Sequence, residues 1–119
     1  MVVAMGLLAG CAALAPAPPE ERVKARAQAR WDKLLKADFR GAYEYFSAGS
    51  RAGYTEDEFQ LSIRRGFWKS ATVQKVTCGS PDSCEVDVAV EYEFKKIRNT
   101  TPVRETWVRD GGEWWYLRK

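Results

Sequence analysis

The amino-acid sequence predicts one α+β domain in which helices come first and an antiparallel sheet follows. The chain has 119 residues, a length typical of a single domain. Apolar residues recur at helical spacing in the first half, and β-branched and aromatic residues alternate with polar ones in the second half. A hydrophobic content of 45% against 29% charged residues provides enough apolar surface for a folded core.

The first predicted helix covers residues 20–36. Its apolar residues recur one turn apart and form one buried stripe: Val23, Ala27, Trp31, Leu34 and Leu35. The opposite face is basic and is predicted to lie in solvent, with contact to anionic lipid as the alternative. That basic face carries Arg22, Lys24, Arg26, Arg30, Lys33 and Lys36.

Two shorter helices are predicted to follow. Asp38 is a capping residue for the second helix, which ends where the small residues of segment 47–53 begin. The apolar face of this helix comprises Phe39, Ala42, Tyr43 and Phe46. Thr55 and Glu58 have the spacing of a capping box and open a third helix. In that helix Phe59 and Ile63 lie one turn apart, and it runs out near Gly66.

Four strands are predicted to form two hairpins. Residues 72–78 and the strand that starts at Cys84 flank a turn at 79–83, and the second of these strands alternates apolar with acidic residues as far as Phe94. Residues 102–109 and Glu113–Leu117 flank the turn Asp110-Gly111-Gly112. In the second hairpin, Trp107 is expected to lie opposite Trp114 or Trp115. The helices should cover one face of a curved, four-stranded antiparallel meander.

This order of elements resembles the NTF2-like fold, a cone-shaped α+β domain. The resemblance covers residues 22–119 and depends on element order and aromatic placement: Trp31, the YEYFS stretch at 43–47 and the pair Trp114-Trp115. It implies a pocket between helices and sheet, in which enzymes of this fold place an acid–base group. The residues expected to line such a pocket are Tyr43, Trp68, Tyr92, Trp107 and Trp115.

The N-terminal segment resembles the signal peptide of bacterial lipoproteins. Leu8-Ala9-Gly10-Cys11 is similar to a lipobox, and residues 1–10 are apolar and uncharged. The resemblance implies cleavage before Cys11, lipidation of the Cys11 thiol, and an Ala/Pro-rich tether over residues 11–21. Ala12 after the cysteine implies the outer membrane, facing the periplasm. The alternative is an apolar N-terminus that is not cleaved, because no Lys or Arg stands at its start.

The other two cysteines, Cys78 and Cys84, stand at the two ends of the first predicted hairpin. Facing strands bring such positions within disulfide distance, and an exported protein meets an oxidising compartment. A structural disulfide is therefore predicted. A redox-active pair is the alternative, although the CxxC spacing that lowers a thiol pKa is missing.

Composition excludes several kinds of chemistry. The chain has no histidine, so imidazole bases, His-activated nucleophiles and most zinc sites are excluded. No metal or cofactor is predicted. The net charge of +3 is spread over the sequence, so nucleic acid is not an expected partner.

We therefore expect a non-enzymatic binding or interaction domain, anchored in the envelope through Cys11. Its expected partners are the membrane, an envelope protein or a second copy bound through the open sheet face. The alternatives are a small-molecule dehydratase or isomerase on the NTF2-like scaffold, and a structural spacer. The enzyme would need Tyr43 or Tyr92 to act with a carboxylate from Asp38 or Glu105, residues that ordinary core packing and capping also explain.

Overall fold

A computed structural model describes residues 17–119 and shows four helices and a four-stranded sheet, with the first helix packed against the sheet. The helices are α1 (Pro19–Leu35), α2 (Phe39–Tyr43), α3 (Ala48–Ala52) and α4 (Glu56–Leu61). The strands are β1 (Trp68–Ser80), β2 (Ser83–Phe94), β3 (Ile97–Asp110) and β4 (Glu113–Leu117). All neighbours are antiparallel, in the order β1-β2-β3-β4. The predicted α+β meander is confirmed, while the predicted signal peptide, Cys11 and residues 11–16 of the tether lie outside the described residues.

Helix α1 lies across the sheet with its apolar stripe inward. Val23, Ala27, Trp31 and Leu34 are buried, as the helical spacing predicts. The helix starts with a proline and two acidic residues in its first turn, a composition that suits a helix N-terminus. No helix of the described residues is long and apolar enough to cross a membrane.

The segment after α2 differs from the prediction. Instead of ending the helical region, residues 47–53 contain α3, because the Ser47 side chain accepts the backbone N–H of Ser50 and caps it. Phe46 lies outside α2 and forms a parallel bridge with Tyr116 of β4. The sequence predicts that Phe46 continues the apolar face of the helix, but its pairing with β4 ends the helix before this residue.

The predicted caps of the other two short helices are confirmed. The Asp38 side chain accepts the backbone N–H of Gly41 at the start of α2, and Thr55 accepts that of Glu58 at the start of α4. Helix α4 ends at Leu61, so the predicted helical turn that would include Ile63 does not form.

Strands β1 and β3 are longer than predicted. Strand β1 starts four residues earlier than its β-branched run, and β3 starts at Ile97 rather than at residue 102. Residues 97–101 are mostly exposed, so they lack the alternation that would reveal a strand from sequence. These residues form a strand because they pair with β2, starting at Phe94↔Ile97.

The register of the second hairpin differs from the prediction for Trp107. Trp107 lies opposite Tyr116, while Trp114 faces Arg109 and Trp115 faces Val108. The prediction was wrong because it counted Asp110 in the turn, whereas Asp110 pairs with Glu113 and only Gly111 and Gly112 connect the strands. Both glycines have positive φ, 60° and 77°, as a type I′ turn requires.

The core lies between the helices and the inner face of the sheet, and it includes Trp107 of β3 and Trp114 of β4. Cys84, Val86, Val88 and Val90 are almost fully buried, but the alternation weakens at the end of β2, where Phe94 is 48% exposed. The predicted disulfide joins Cys78 to Cys84 beside the β1–β2 turn. It cross-links two adjacent strands, which supports a structural role.

Candidate functional site

The interior contains a buried ion pair that joins helix α1 to strand β3. The Arg30 Nη1 atom donates to Glu105 Oε2 at 2.9 Å. Arg30 is 5% exposed and Glu105 is 4% exposed. The prediction that Arg30 belongs to the solvated face of α1 was wrong, because a partner 75 residues away in sequence compensates its charge.

Two indoles and a phenol complete this buried cluster. Trp31 Nε1 donates to Glu105 Oε2 at 2.9 Å, and Trp107 Nε1 donates to Glu105 Oε1 at 3.2 Å. The Arg30 guanidinium lies 3.8 Å from the centre of the Tyr116 ring. Burial raises the pKa of Tyr116, so its hydroxyl stays protonated at neutral pH. The cluster fastens α1 to β3 and β4, and substrate could reach Glu105 only if the core opened.

The other predicted acid–base residues have local structural partners. The Tyr43 hydroxyl donates to the backbone carbonyl of Tyr54 at 2.6 Å. The Gly41 N–H held by the Asp38 cap lowers the pKa of that carboxyl. Tyr92 stacks on Phe67 with ring centres 5.1 Å apart. These contacts explain Tyr43, Asp38 and Tyr92 without any catalytic role.

The structure does not bring the five predicted pocket residues together. Trp107 is fully buried, Tyr43 packs on Phe46 and Phe59, and Trp68 packs edge-on against Trp31. Trp115 borders two open hollows of about 360 Å³ each, and Trp68 borders a much smaller one of about 30 Å³. The expectation of one common pocket was wrong because four of the five aromatic rings are occupied in core packing or ring stacking.

An open hollow lies on the surface, around Trp115 and Arg51. It consists of two adjoining parts, each of about 360 Å³ and open to solvent, and both are bordered by these two residues. We call it the Trp115 groove. Its more apolar part is bordered by Phe46, Ala48, Asp110 and Gly111. Its more polar part is bordered by Arg26, Lys33, Glu44 and Tyr45.

Hydrogen bonds to backbone carbonyls hold the central side chains of the groove in place. Trp115 Nε1 donates to the carbonyl of Asp110 at 3.0 Å, and Arg26 Nε donates to that of Trp114 at 2.6 Å. Arg51 Nε donates to the carbonyl of Phe46 at 3.0 Å, and its Nη2 donates to that of Glu44. Because these groups are fixed before any ligand arrives, little conformational entropy would be lost on binding.

The two guanidinium groups lie near the Trp115 ring. The Arg26 guanidinium carbon is 4.9 Å from the ring centre, and that of Arg51 is 5.9 Å away, within the range of cation–π attraction. Arg26 also lies 3.6 Å from the carboxylate of Glu113. Arg51 has no carboxylate partner among residues 17–119. Arg51 is therefore the cation of the groove that remains available to an anion.

Glu113 sets the charge at one end of the groove. The backbone N–H of Trp114 lowers the pKa of this carboxyl, and Arg26 and Arg22 lower it further. Glu113 therefore stays ionised and compensates the charges of Arg22 and Arg26.

Sequence reasoning found Trp115 but missed the other groove residues. Arg51 lies in a segment rich in small residues that was interpreted as a helix end, and Phe46 was assigned to a helix face. The parallel bridge between Phe46 and Tyr116 brings this segment beside β4, and no local pattern predicts that bridge. Within residues 17–119 no group of three or more Cys, Asp or Glu side chains is arranged to hold a metal ion.

Comparison with protein-family models and with curated proteins gives no match by sequence. Solved structures match by shape. A SEC-C motif containing protein from Rhodopseudomonas palustris aligns with a TM-score of 0.66 at 13% identity, over 79% of this chain and 73% of that one. An NTF2-like transpeptidase from Campylobacter jejuni aligns with a TM-score of 0.57 at 19% identity, over 78% of this chain and 94% of that one.

The chain has an NTF2-like fold. A second SEC-C motif containing protein, from Psychrobacter arcticus, aligns with a TM-score of 0.70 at 10% identity, over 87% of this chain. The chain spans 62% of that protein's length. At these identities the similarity concerns the fold alone.

Proposed function

We propose that this NTF2-like domain is a non-enzymatic binding module, anchored in the bacterial envelope through Cys11, that takes its ligand in the Trp115 groove. One observation carries the proposal: solvent and ligands can reach the groove but not the buried carboxylate of Glu105. Glu105 is sealed in the core by Arg30 and two indoles, whereas the Trp115 groove is preformed and open.

The sealed interior argues against the dehydratase or isomerase alternative. A general base must come within hydrogen-bond distance of the proton it removes. The carboxylate of Glu105 already accepts bonds from Arg30, Trp31 and Trp107, and all of these partners are buried. Opening the core to admit a substrate would expose an apolar cluster and break the ion pair.

The groove suits a ligand that has a flat apolar group beside an anionic group. Trp115 is half-buried and borders the apolar part together with Phe46 and Ala48. Arg51 borders both parts and offers N–H donors that are not committed to a carboxylate. A carboxylate or phosphate could take these donors while the apolar group packs against the Trp115 ring.

A binding experiment with an aromatic anion tests the groove. The probe is anilinonaphthalene sulfonate, whose ring system and sulfonate have the required chemistry. We expect the indole N–H signal of Trp115 to shift in a nuclear magnetic resonance titration. We expect Trp115→Ala to weaken binding about tenfold and Arg51→Gln to weaken it about fivefold.

The matched control is Arg40→Gln, since Arg40 is an exposed arginine on α2 that lies 3.9 Å from Glu56 and does not border the groove. Its affinity for the probe should equal that of the parent. A titration in which the Trp115 signal stays fixed, or in which Arg40→Gln and Arg51→Gln act alike, would remove the groove from the proposal.

The anchoring part of the proposal is supported by Leu8-Ala9-Gly10-Cys11 and is tested separately. Mass spectrometry of the protein from bacterial membranes should find an N-terminus at Cys11 that carries a diacylglycerol thioether. A Cys11→Ser variant should keep residues 1–10 and carry no diacylglycerol. An unmodified Cys11 in the parent would disprove the anchor and leave the groove untouched.

Self-association through the open sheet face is supported by one feature of that face. A shallow hollow of about 280 Å³ is bordered by Ala89 and Pro102, which lie directly opposite each other. Sedimentation equilibrium tests it, and a monomer at all concentrations would contradict it.

A further inference from the structure

The turn between β2 and β3 is an exposed projection that carries apolar and basic side chains together. Phe94 is 48% exposed and Ile97 is 63% exposed, and the two residues lie directly opposite each other. Lys95 and Lys96 form the turn between them. We call residues 94–97 the β2–β3 tip.

The backbone of the tip is strained for the residues it contains. Lys95 has a φ of 51° and Lys96 a φ of 66°, a left-handed conformation that glycine and asparagine adopt far more readily than lysine. A two-residue hairpin would be more stable with an Asn-Gly turn. Strain that persists at an exposed position is an indication that the side chains there have a role.

The two lysines have no acidic partner in the described part of the chain, although Lys95 Nζ lies 5.4 Å from the centre of the Phe94 ring within the tip itself. Neither forms an ion pair within residues 17–119. The carboxylates next to the tip are already engaged, because Arg98 lies 3.5 Å from Glu91 and 3.6 Å from Glu93. Lys69 also lies 3.9 Å from Glu93. The tip therefore presents two positive charges that no neighbouring acid compensates.

We propose that the β2–β3 tip inserts into the surface of an anionic lipid bilayer. Phe94 and Ile97 would enter the boundary between headgroups and acyl chains, and Lys95 and Lys96 would remain among the lipid phosphates. A bilayer accepts a small apolar wedge flanked by cations without shape complementarity. A stable protein interface needs about 800 Å² from each partner, more than two exposed side chains supply. The size and charge of the tip thus favour lipid over a protein partner.

The position of the tip gives the contact a physical consequence. Strand β3 connects the tip to the β3–β4 turn, roughly 40 Å away at about 3.3 Å per residue. The start of α1 lies at that far turn, where Arg22 Nη2 donates to the carbonyl of Gly112. If Cys11 carries lipid, the domain has one attachment near each end of β3. Two attachments would hold the sheet along the membrane and stop it from swinging on its tether. The tip contact itself does not depend on lipidation of Cys11.

Vesicle partitioning tests the proposal. The full chain with Cys11→Ser, which carries no lipid, is mixed with vesicles of phosphatidylcholine with or without phosphatidylglycerol. The partition coefficient is measured by flotation. On the anionic vesicles we expect Phe94→Ser with Ile97→Ser to lower it about tenfold. Lys95→Gln with Lys96→Gln should lower it by about fivefold per lysine. Added salt should lower the partition coefficient of the parent and change that of the lysine variant little.

Matched controls separate the tip from exposure and charge in general. Leu61→Ser removes another exposed apolar side chain, on α4, and Lys24→Gln with Lys36→Gln removes two exposed charges of α1. The partition coefficient of each control should differ from that of the parent by less than twofold. Residues 1–10 are the same in every protein, so they cancel in each ratio. Circular dichroism confirms that each variant is folded.

Loss of partitioning in both tip variants, with both controls unchanged, supports the proposal. Tip variants that partition like the parent overturn it, whether or not they lose a protein partner in a separate assay. An equal loss in the Lys24/Lys36 control also overturns it, because the effect would then be one of total charge.

Discussion

The two turns at the ends of strand β3 both have two residues of positive φ, but their side chains differ in chemistry. Gly111-Gly112 and Lys95-Lys96 both connect their strands through two residues of positive φ. The glycine turn is held by the rest of the molecule, since Arg22 donates to Gly112 and Trp115 donates to Asp110 beside it. The lysine turn is flanked by exposed Phe94 and Ile97.

The residues of the β3–β4 turn suit their backbone conformation and stabilise the fold, whereas those of the β2–β3 tip do not. At the β3–β4 turn the residues are those that the backbone prefers, and this end of the sheet borders the Trp115 groove. At the β2–β3 tip the backbone is strained by two side chains that make no ion pair in the described part of the chain. The first arrangement serves packing, and the second is explained by contact with something outside the domain.

The largest loss of stability is expected in the part of β3 that joins the two turns, where Glu105 pairs with Arg30. Glu105→Ala leaves Arg30 buried and unpaired, so it should lower the free energy of unfolding by about 3–5 kcal/mol in a urea titration. The double variant Arg30→Met with Glu105→Leu removes both charges but leaves the buried indole N–H groups of Trp31 and Trp107 without their acceptor, so it should recover only part of that loss. A loss of less than about 1 kcal/mol for Glu105→Ala would mean that the ion pair does not fix this strand.

The next effect concerns the glycine turn. A Cβ atom added at Gly111 or Gly112 meets no other atom within 4 Å, so alanine there reports backbone strain alone. Gly111→Ala with Gly112→Ala should destabilise the domain by about 1 kcal/mol per residue in thermal or urea unfolding. Gly53→Ala is the control, because Gly53 has an ordinary φ of −109° and equally open surroundings. Equal losses at both sites would show that φ is not the cause.

The lysine turn should respond with the opposite sign. Lys95→Gly with Lys96→Gly relieves the strain and should raise the free energy of unfolding by about 0.5–1 kcal/mol per residue. Lys95→Gln with Lys96→Gln keeps the strain and removes the charge, so its stability in the same urea titration should match the parent. If the glutamine pair also stabilises the domain, repulsion between the two ammonium groups rather than the backbone is the source of the strain.

The smallest effect is electrostatic and concerns Glu113, which follows the glycine turn. The pKa of Glu113 is lowered in the folded protein, first by the Trp114 N–H. Its contribution to stability is therefore present above its unfolded pKa and is lost as pH falls through the lower folded pKa. Glu113→Gln should cost about 0.5 kcal/mol at neutral pH, because the carboxylate is partly exposed.

A pH series of urea titrations checks this expectation. The difference between the parent and Glu113→Gln should shrink as the solution is acidified and disappear once Glu113 is protonated in both states. A difference that stays constant with pH would assign the loss to the hydrogen-bond geometry at Trp114 instead of to charge.

Much of the fold followed from local patterns in the sequence, and the candidate site did not. The buried stripe of α1, the caps at Asp38 and Thr55, and β4 were predictable because the information lies within a few residues. The Trp115 groove depends on Phe46 pairing with Tyr116, 70 residues later. The β2–β3 tip was missed because Lys95-Lys96 lacks the Gly and Asn residues that mark such turns.

By itself, the sequence determined the class of the domain, the inward stripe of α1, the Cys78–Cys84 bond and the absence of histidine chemistry. Each of these depends on residue identity or on short-range periodicity. Only the tertiary structure decided that Arg30 is buried, that Trp107 faces Tyr116, and that Arg51 and Trp115 share one groove. The reason is physical: a charged or aromatic side chain has no fixed environment until partners distant in sequence supply its counter-ion, its hydrogen bonds and its packing surface.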